Sequence, residues 1–298
     1  MLAYVHIPFC HRICPYCSFF KHTPGGTDIG AFVDAVVREA RHRRSELPAP
    51  PRTLFLGGGT PSMLSPTHLA RLVDGLRDAL PADDLEEFTM EANPATFDAR
   101  KARQFRELGI TRVSLGIQSF DAGVLATLGR EHDPDEAARS VELLRDAGLP
   151  SLNIDLMFSV PGQSLASWLA TLERTISVHP DHVSAYNLTY EEDTEFLELR
   201  RQGRLDADPE LDLRGFELAH RLLCEAGFEH YETSNYARPG HRSIHNQATW
   251  QGEEYLGLGP SAVTTIARRR ARNVADTARY IGMVRALGHA TADCEHLD

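Results

Sequence analysis

Apolar residues run along the first two-thirds of the chain in two alternating rhythms. Short β-rich runs recur at Leu2–Ile7, Thr53–Leu56, Glu87–Glu91, Arg112–Ile117, Asn153–Phe158 and His182–Leu188, and their length and composition predict strands. Between them, apolar residues fall at helical spacing over Asp28–Glu46, Pro66–Ala79, Asp98–Leu108, Pro134–Ala147, Ser164–Val178 and Leu211–Ala226, which predicts amphipathic helices. The punctuation agrees. Ser65 and Asp98 stand where N-caps belong, and Gly109 and Gly148 each follow a helical stretch as C′ glycines do. Strands alternating with helices imply βαβ units and a parallel sheet. Either an open doubly wound sheet or a partly closed barrel satisfies the pattern, and in both the functional groups gather toward the C-terminal ends of the strands. Toward that end of successive strands come Cys10, the run Gly57-Gly58-Gly59-Thr60, Glu91 with Asn93 and Pro94, Gln118, Asp155 and Tyr190.

The last third breaks the rhythm. Aromatic and polar residues mix in HYETSNYARPGHRSIHNQATWQGEEYLGLGPSAV, a texture that predicts β-hairpins and loops packed on the main body. No Gly/Ser-rich linker separates the two parts, so contact is expected, not a free tether. The expected division is a core over residues 1–195 and a smaller, β-rich C-terminal extension over 196–298.

Composition narrows the function. The chain has 298 residues and a net charge of −11, a balance that sets aside bulk nucleic-acid binding. The short basic cluster Arg268, Arg269, Arg270 and Arg272 reads as a solvated turn or hairpin. The N-terminus MLAYVHIPFC has neither the basic nor the long apolar region of a signal peptide, and no window has the apolar length of a membrane span. Five cysteines, three of them crowded together, fit a disulfide framework poorly. The expected compartment is a reducing cytoplasm, where clustered thiols suggest metal.

Cys10, Cys14 and Cys17 form C-x3-C-x2-C on one loop. Zinc is one option, with His6, His11 or His22 as a fourth ligand. An iron–sulfur cluster is the other. Three cysteines on a four-iron cluster leave one iron without a protein ligand, a vacancy for an outside chelator. Other segments offer polar contacts. FLGGGTPS lets backbone N–H groups approach a ligand closely, and Thr60 adds a hydroxyl. Glu91 can hold a ribose hydroxyl or an ammonium, Gln118 and Asp155 follow the same logic, and Arg130 can pair with a carboxylate. Each also has a bland reading as a turn, a helix cap or a surface ion pair.

With Tyr16 just before its last cysteine, the cysteine motif resembles that of the radical S-adenosylmethionine (SAM) superfamily. The resemblance implies a partial (β/α)6 barrel, a [4Fe–4S] cluster on the three cysteines, and chelation of SAM by the open iron. In that superfamily the reduced cluster cleaves SAM to a 5′-deoxyadenosyl radical. HIPFC, GGGTP, the E-x-N-P, G-x-Q-S-F and LGR-x-H elements, NIDL followed by PGQ, and YLGLGPSA resemble one family within it, that of oxygen-independent coproporphyrinogen III oxidase and its relatives. This second resemblance covers nearly the whole chain. It carries Tyr4, Gly58 and Glu91 to the cluster-bound SAM. It carries Tyr16, Gly59, Thr60, Gln118, Arg130, Asp155 and Thr189 to a second SAM position.

The oxidases in that family have a fourth cysteine two residues after the third, where this chain has Phe19. That departure, with His245-Asn246-Gln247-Ala248-Thr249-Trp250 resembling an H-N-x-x-Y-W element, points to the family's haem-chaperone branch and makes His245 a candidate haem ligand. Thr249 replaces the tyrosine of that element, and His245 also reads as a loop histidine hydrogen-bonded to backbone. Family members continue into a small helical C-terminal domain that this chain is expected to lack. The implied partners are haem or a porphyrin, a reductant such as flavodoxin or ferredoxin, and a transient membrane-protein client. Two alternatives stand beside the carrier. One is a radical enzyme, an oxidase or a methyltransferase, and the other is a zinc-stapled binding protein.

Overall fold

The computed structural model describes residues 1–80 and 84–297; the final residue of the expected 196–298 extension lies outside them. Six strands alternate with helices. In chain order they are β1 (Leu2–Ile7), α1 (Ile29–Arg43), β2 (Thr53–Gly58), α2 (Pro66–Ala79), β3 (Glu87–Ala92), α3 (Ala99–Glu107), β4 (Arg112–Gln118), α4 (Ala122–Thr127), α5 (Pro134–Asp146), β5 (Ser151–Phe158), α6 (Leu165–Ser177) and β6 (His182–Asn187). There follow α7 (Glu195–Arg201), α8 (Pro209–Glu225), β7 (Glu229–Glu232), β8 (Asn235–Ala237), α9 (Ile244–Trp250), β9 (Tyr255–Leu258), β10 (Val263–Ile266), β11 (Arg269–Asn273), α10 (Thr277–Leu287) and β12 (Thr291–His296).

β1 to β6 pair in sequence order, all parallel. Parallel strands joined through helices are covered on both faces, so they read as nearly continuous apolar runs. β1 shows this, with Leu2, Ala3, Val5 and Ile7 fully buried. The helices start where side chains cap them. Asp28 accepts from the N–H of Ala31, Ser65 from His68 and Asp98 from Lys101, and Asp133 and Glu136 form a reciprocal capping box. One continuous core of Val, Leu, Ile and Phe side chains from both layers lies between sheet and helices.

The last third extends the same sheet at both edges. β9 lies parallel to β1, with Leu2 opposite Tyr255, and β10, β11 and β12 continue outward antiparallel. At the other edge β8 pairs antiparallel with β6 and carries β7. The expected hairpins are therefore present, and Arg269, Arg270 and Arg272 do stand on a hairpin strand, β11. The expectation of hairpins and loops alone is corrected by two helices. α9 starts at Ser243, whose hydroxyl accepts from the N–H of Asn246. α10 is capped by Asp276 and stopped by Gly288 at φ 85°; Gly282 weakens its sequence signal, and packing of Tyr280 against Phe32 of α1 compensates. No helix among the described residues is long and apolar enough to cross a membrane.

Candidate iron–sulfur and SAM site

The cysteine loop leaves β1 and returns beside it. Phe9 and His22 form an isolated bridge, with Cys10 N–H donating to His22 O (3.0 Å) and His22 N–H to Pro8 O (2.8 Å). This clasp closes the loop at its base and cuts the entropy of ordering the three thiols. Within it, Cys17 N–H donates to Cys14 O at 3.2 Å, and Lys21 Nζ donates to Cys17 O. All three cysteines are unpaired with other cysteines and partly exposed.

Neighbouring loops aim donors at two of the sulfurs. Thr60 Oγ1 lies 3.6 Å from Cys10 Sγ, and Arg130 Nη1 lies 3.8 Å from Cys14 Sγ. Burial pushes the Cys10 thiol up, opposed by the Thr60 hydroxyl; burial likewise raises Cys17, opposed by the Phe19 N–H and the Lys21 charge. A metal that replaces these protons relieves that cost, since thiolates are the ligating form.

The zinc alternative loses most of its fourth ligands. His6 has both ring nitrogens engaged, by Tyr4 Oη at 3.1 Å and Phe20 O at 2.7 Å. His22 is engaged by Thr23 O at 2.8 Å and Thr277 Oγ1 at 2.7 Å. Of the three histidines only His11 remains open, and three thiolates on one loop, with side-chain donors on two of the sulfurs, fit a cluster with one open iron.

The glycine run is dictated by close approach. β2 extends through Gly58, which sits at φ 107°, where an added Cβ would fall 2.6 Å from the His6 ring. At Gly59 a Cβ would meet Phe9 O at 2.7 Å and Ile7 O at 2.8 Å, because the N–H groups of Gly59 and Thr60 tie back to Ile7 O and Phe9 O. Gly58 N–H donates to Glu91 Oε2 at 3.0 Å, so the strand end and the carboxylate are held together.

Glu91 lies in β3 facing Asp155. Burial, then repulsion by Asp155, pushes Glu91 up to about 7 against the pull of the Gly58 N–H and Arg112. Asp155 is also raised by burial, although Ser114 Oγ (3.0 Å) and Asn153 Nδ2 (2.7 Å) donate to it. Asp155 was expected at a strand end. It sits mid-β5 and points into the lumen, because side chains alternate along a strand.

Cys10, Cys14, Cys17, Tyr16, Gly58, Gly59, Thr60, Glu91, Gln118, Arg130, Asp155 and Thr189 all line one cavity of about 720 Å³. Gln118 ends β4 at φ 68°, and Thr189 Oγ1 donates to Glu191 Oε1 at 2.9 Å. Two expected residues lie elsewhere. Tyr4 stands behind the wall, its hydroxyl on His6 and its ring against Phe55. His245 is placed differently from an open haem ligand. It is on a helix, not a loop, and 7% exposed; its Nδ1 meets Thr53 Oγ1 at 2.8 Å, and its backbone N–H donates to Glu87. Burial lowers its pKa to about 4, so the ring is neutral. Thr53 begins β2, so His245 sits by the N-terminal end of a strand whose C-terminal end faces the cysteines.

Sequence reasoning placed Asn93 at a strand end without giving it a role, and missed two other participants. Asn93 couples Thr60 to Arg130, donating from Nδ2 to Thr60 Oγ1 (3.0 Å) and accepting from Arg130 Nη2 (2.6 Å); its place in E-x-N-P was the available signal. Arg112 and Tyr186 also line the cavity, but a strand-opening arginine and a mid-strand tyrosine carry no motif.

A profile of the Radical SAM superfamily matches residues 4–175. The chain is 36% identical over 282 residues to the heme chaperone HemW of Lactococcus lactis, covering 94% of this chain and 73% of the relative. It is 40% identical over 265 residues to the heme chaperone HemW of Escherichia coli, covering 87% and 68%. Among solved structures, the coproporphyrinogen III oxidase HemN of Escherichia coli, described as a radical SAM enzyme, superposes with a TM-score of 0.87 at 27% identity, over all of this chain and 72% of its own.

Proposed function

The chain belongs to the radical SAM superfamily and has HemW heme chaperones among its relatives, and from that premise we propose that it is a haem-binding carrier built on a SAM-chelating [4Fe–4S] site. Cys10, Cys14 and Cys17 hold the cluster in this reading. When bound, the cluster supplies an electron to the sulfonium of SAM. Thr60 and Arg130 direct hydrogen bonds at two of the sulfurs, which tunes the potential of the centre. Gly58 and Gly59 would let the backbone approach SAM, and Glu91 would hold its ammonium. Gln118, Asp155 and Thr189 serve the remaining volume of the cavity, and Tyr4 acts from behind through His6.

The observation that carries the haem reading is Phe19. It occupies the place of the oxidases' extra cysteine and stands 66% exposed at the cavity's edge, an apolar face that suits a macrocycle. His245 is 7% exposed, so it would ligate haem through Nε2 only if α9 uncovered its ring, with Nδ1 still on Thr53. The reading includes a cytoplasmic location, reduction by a flavodoxin- or ferredoxin-like protein, and delivery to a membrane-protein client.

A second reading, a radical enzyme acting on a porphyrinogen or a related substrate, is favoured by the polar lumen below the cluster loop, where Asp155, Ser114 and Asn153 form a connected network. The test is an anaerobic haem titration of cluster-loaded protein, followed by SAM and a strong reductant. Tight haem binding with little 5′-deoxyadenosine released supports the carrier. Steady nucleoside release without haem affinity overturns it in favour of the enzyme.

A further inference from the structure

Away from the cavity, α8 and β7 bring three soft or borderline donors to one surface. His220 and Cys224 are one turn apart on α8 and so share a face. A tight turn at Gly227, with φ 87°, returns the chain as β7 and sets His230 beside them. His220 Nδ1 lies 2.9 Å from His230 Nδ1 and 3.7 Å from Cys224 Sγ.

The tautomer of His230 is set from behind. Its Nε2 meets Thr233 O at 3.1 Å. A carbonyl only accepts, so Nε2 carries the proton and Nδ1 presents its lone pair toward His220. A carbonyl behind the non-ligating nitrogen is the usual support of a metal-bound histidine. The ring is also held flat against Tyr236, at 4.2 Å between centroids and 10° between planes. Tyr236 is buried with its hydroxyl unpartnered among the described residues. Burial, then the nearby Cys224, raises that phenol.

We propose that His220, Cys224 and His230 form a binding site for a single zinc-like divalent cation, separate from the iron–sulfur site, with water in the fourth position. With Zn–N near 2.0–2.1 Å and Zn–S near 2.3 Å, a tetrahedral site holds two nitrogens about 3.3 Å apart, and a nitrogen and a sulfur about 3.6 Å apart. The Cys224–His220 separation already matches. The two nitrogens must open by about 0.4 Å, a shift that the exposed His220 side chain can supply by rotation. Among the described residues no group of three or more His, Cys, Asp or Glu side chains is already arranged to hold a metal ion, so this site forms only with that adjustment. On binding, the Cys224 thiol gives its proton to solvent, and His220 moves its remaining proton to Nε2, so both imidazoles ligate while neutral. The cation then clasps the end of α8 to β7 at the sheet edge.

The test is an anaerobic Zn2+ titration of cluster-loaded protein against a chromophoric chelator, with iron content followed in parallel. The expected result is one equivalent bound without loss of iron, weakened at least about tenfold in Cys224→Ser and in His220→Ala. Co2+ in place of Zn2+ should give tetrahedral ligand-field bands that disappear in Cys224→Ser. Both substitutions are on a solvent-facing helix surface, and circular dichroism checks their folding. Zinc uptake equal in wild type and both variants overturns the proposal, as does a wild type that takes up no zinc in competition with the chelator.

Discussion

Replacing Glu91 with Gln should make the SAM-free protein more stable and less able to bind SAM. Glu91 is half-buried in the cavity wall with Asp155, and desolvation with that neighbouring charge pushes its pKa from 4.5 to about 7. Folding therefore costs free energy wherever the carboxylate is ionised in the unfolded chain. The sign follows from proton counts. Between pH 4.5 and 7 the native state binds more protons at this site than the unfolded state, so stability falls as pH rises. The contribution is intact below the unfolded value, and the full penalty is present above the folded one. A displacement of about 2.5 pH units, at about 1.4 kcal/mol each, amounts to about 3.5 kcal/mol. Glutamine keeps an oxygen for the Gly58 N–H, which now meets Glu91 Oε2 at 3.0 Å, but carries no charge to bury. Anaerobic urea unfolding of SAM-free protein at pH 5 and pH 8 measures the difference. The stability gap between Glu91→Gln and wild type should widen by about 2.5 kcal/mol from the lower to the higher pH. Wild-type SAM affinity should rise over the same interval as the carboxylate ionises, while that of the variant stays low and flat. A pH-independent gap would refute the reasoning, because the carboxylate would then be neither strained nor neutral in the native site.

Other expectations follow from single contacts. Cys10→Ala, Cys14→Ala or Cys17→Ala should each abolish the reconstituted cluster, while Cys224→Ala and Cys294→Ala leave iron and sulfide content unchanged; iron loss in either of the latter pair would expose a misassigned ligand. Gly59→Ala should cost more than about 2 kcal/mol and most of the cluster, since its Cβ would meet backbone oxygens at 2.7 and 2.8 Å that cannot retreat; near-normal iron content and stability in that variant would contradict the geometry. His245→Ala should cost about 2–3 kcal/mol through the lost Thr53 contact and the cavity left beside Phe55, with the cluster retained. Haem affinity unchanged in the folded variant would exclude His245 as an axial ligand.

Much of this protein is legible from its residue order because its chemistry sits near strand ends. Cys10, Thr60, Glu91 and Gln118 each close or follow a parallel strand, so a reading of periodicity already aligns them. β2 was read too short, since Gly57 and Gly58 look like a turn. They stay in register opposite His6 and Ile7, and the neighbouring strand imposes a conformation that composition does not suggest. Pairing of β1 with β9 joins residues some 250 positions apart and leaves no local trace. The burial of His245 is a fact of the same kind. It depends on where α9 docks, held by Glu87 of β3 at its N-terminus, and the H-N-x-x-x-W spelling is silent on that.

The central claim is that three cysteines hold a four-iron cluster whose remaining iron is open to SAM. Electron paramagnetic resonance of the reduced, reconstituted protein with and without SAM tests it most directly. The account predicts a [4Fe–4S]+ signal that changes on SAM addition and is absent from the Cys10→Ala, Cys14→Ala and Cys17→Ala proteins. A signal indifferent to SAM, or one that persists without those thiols, would contradict it.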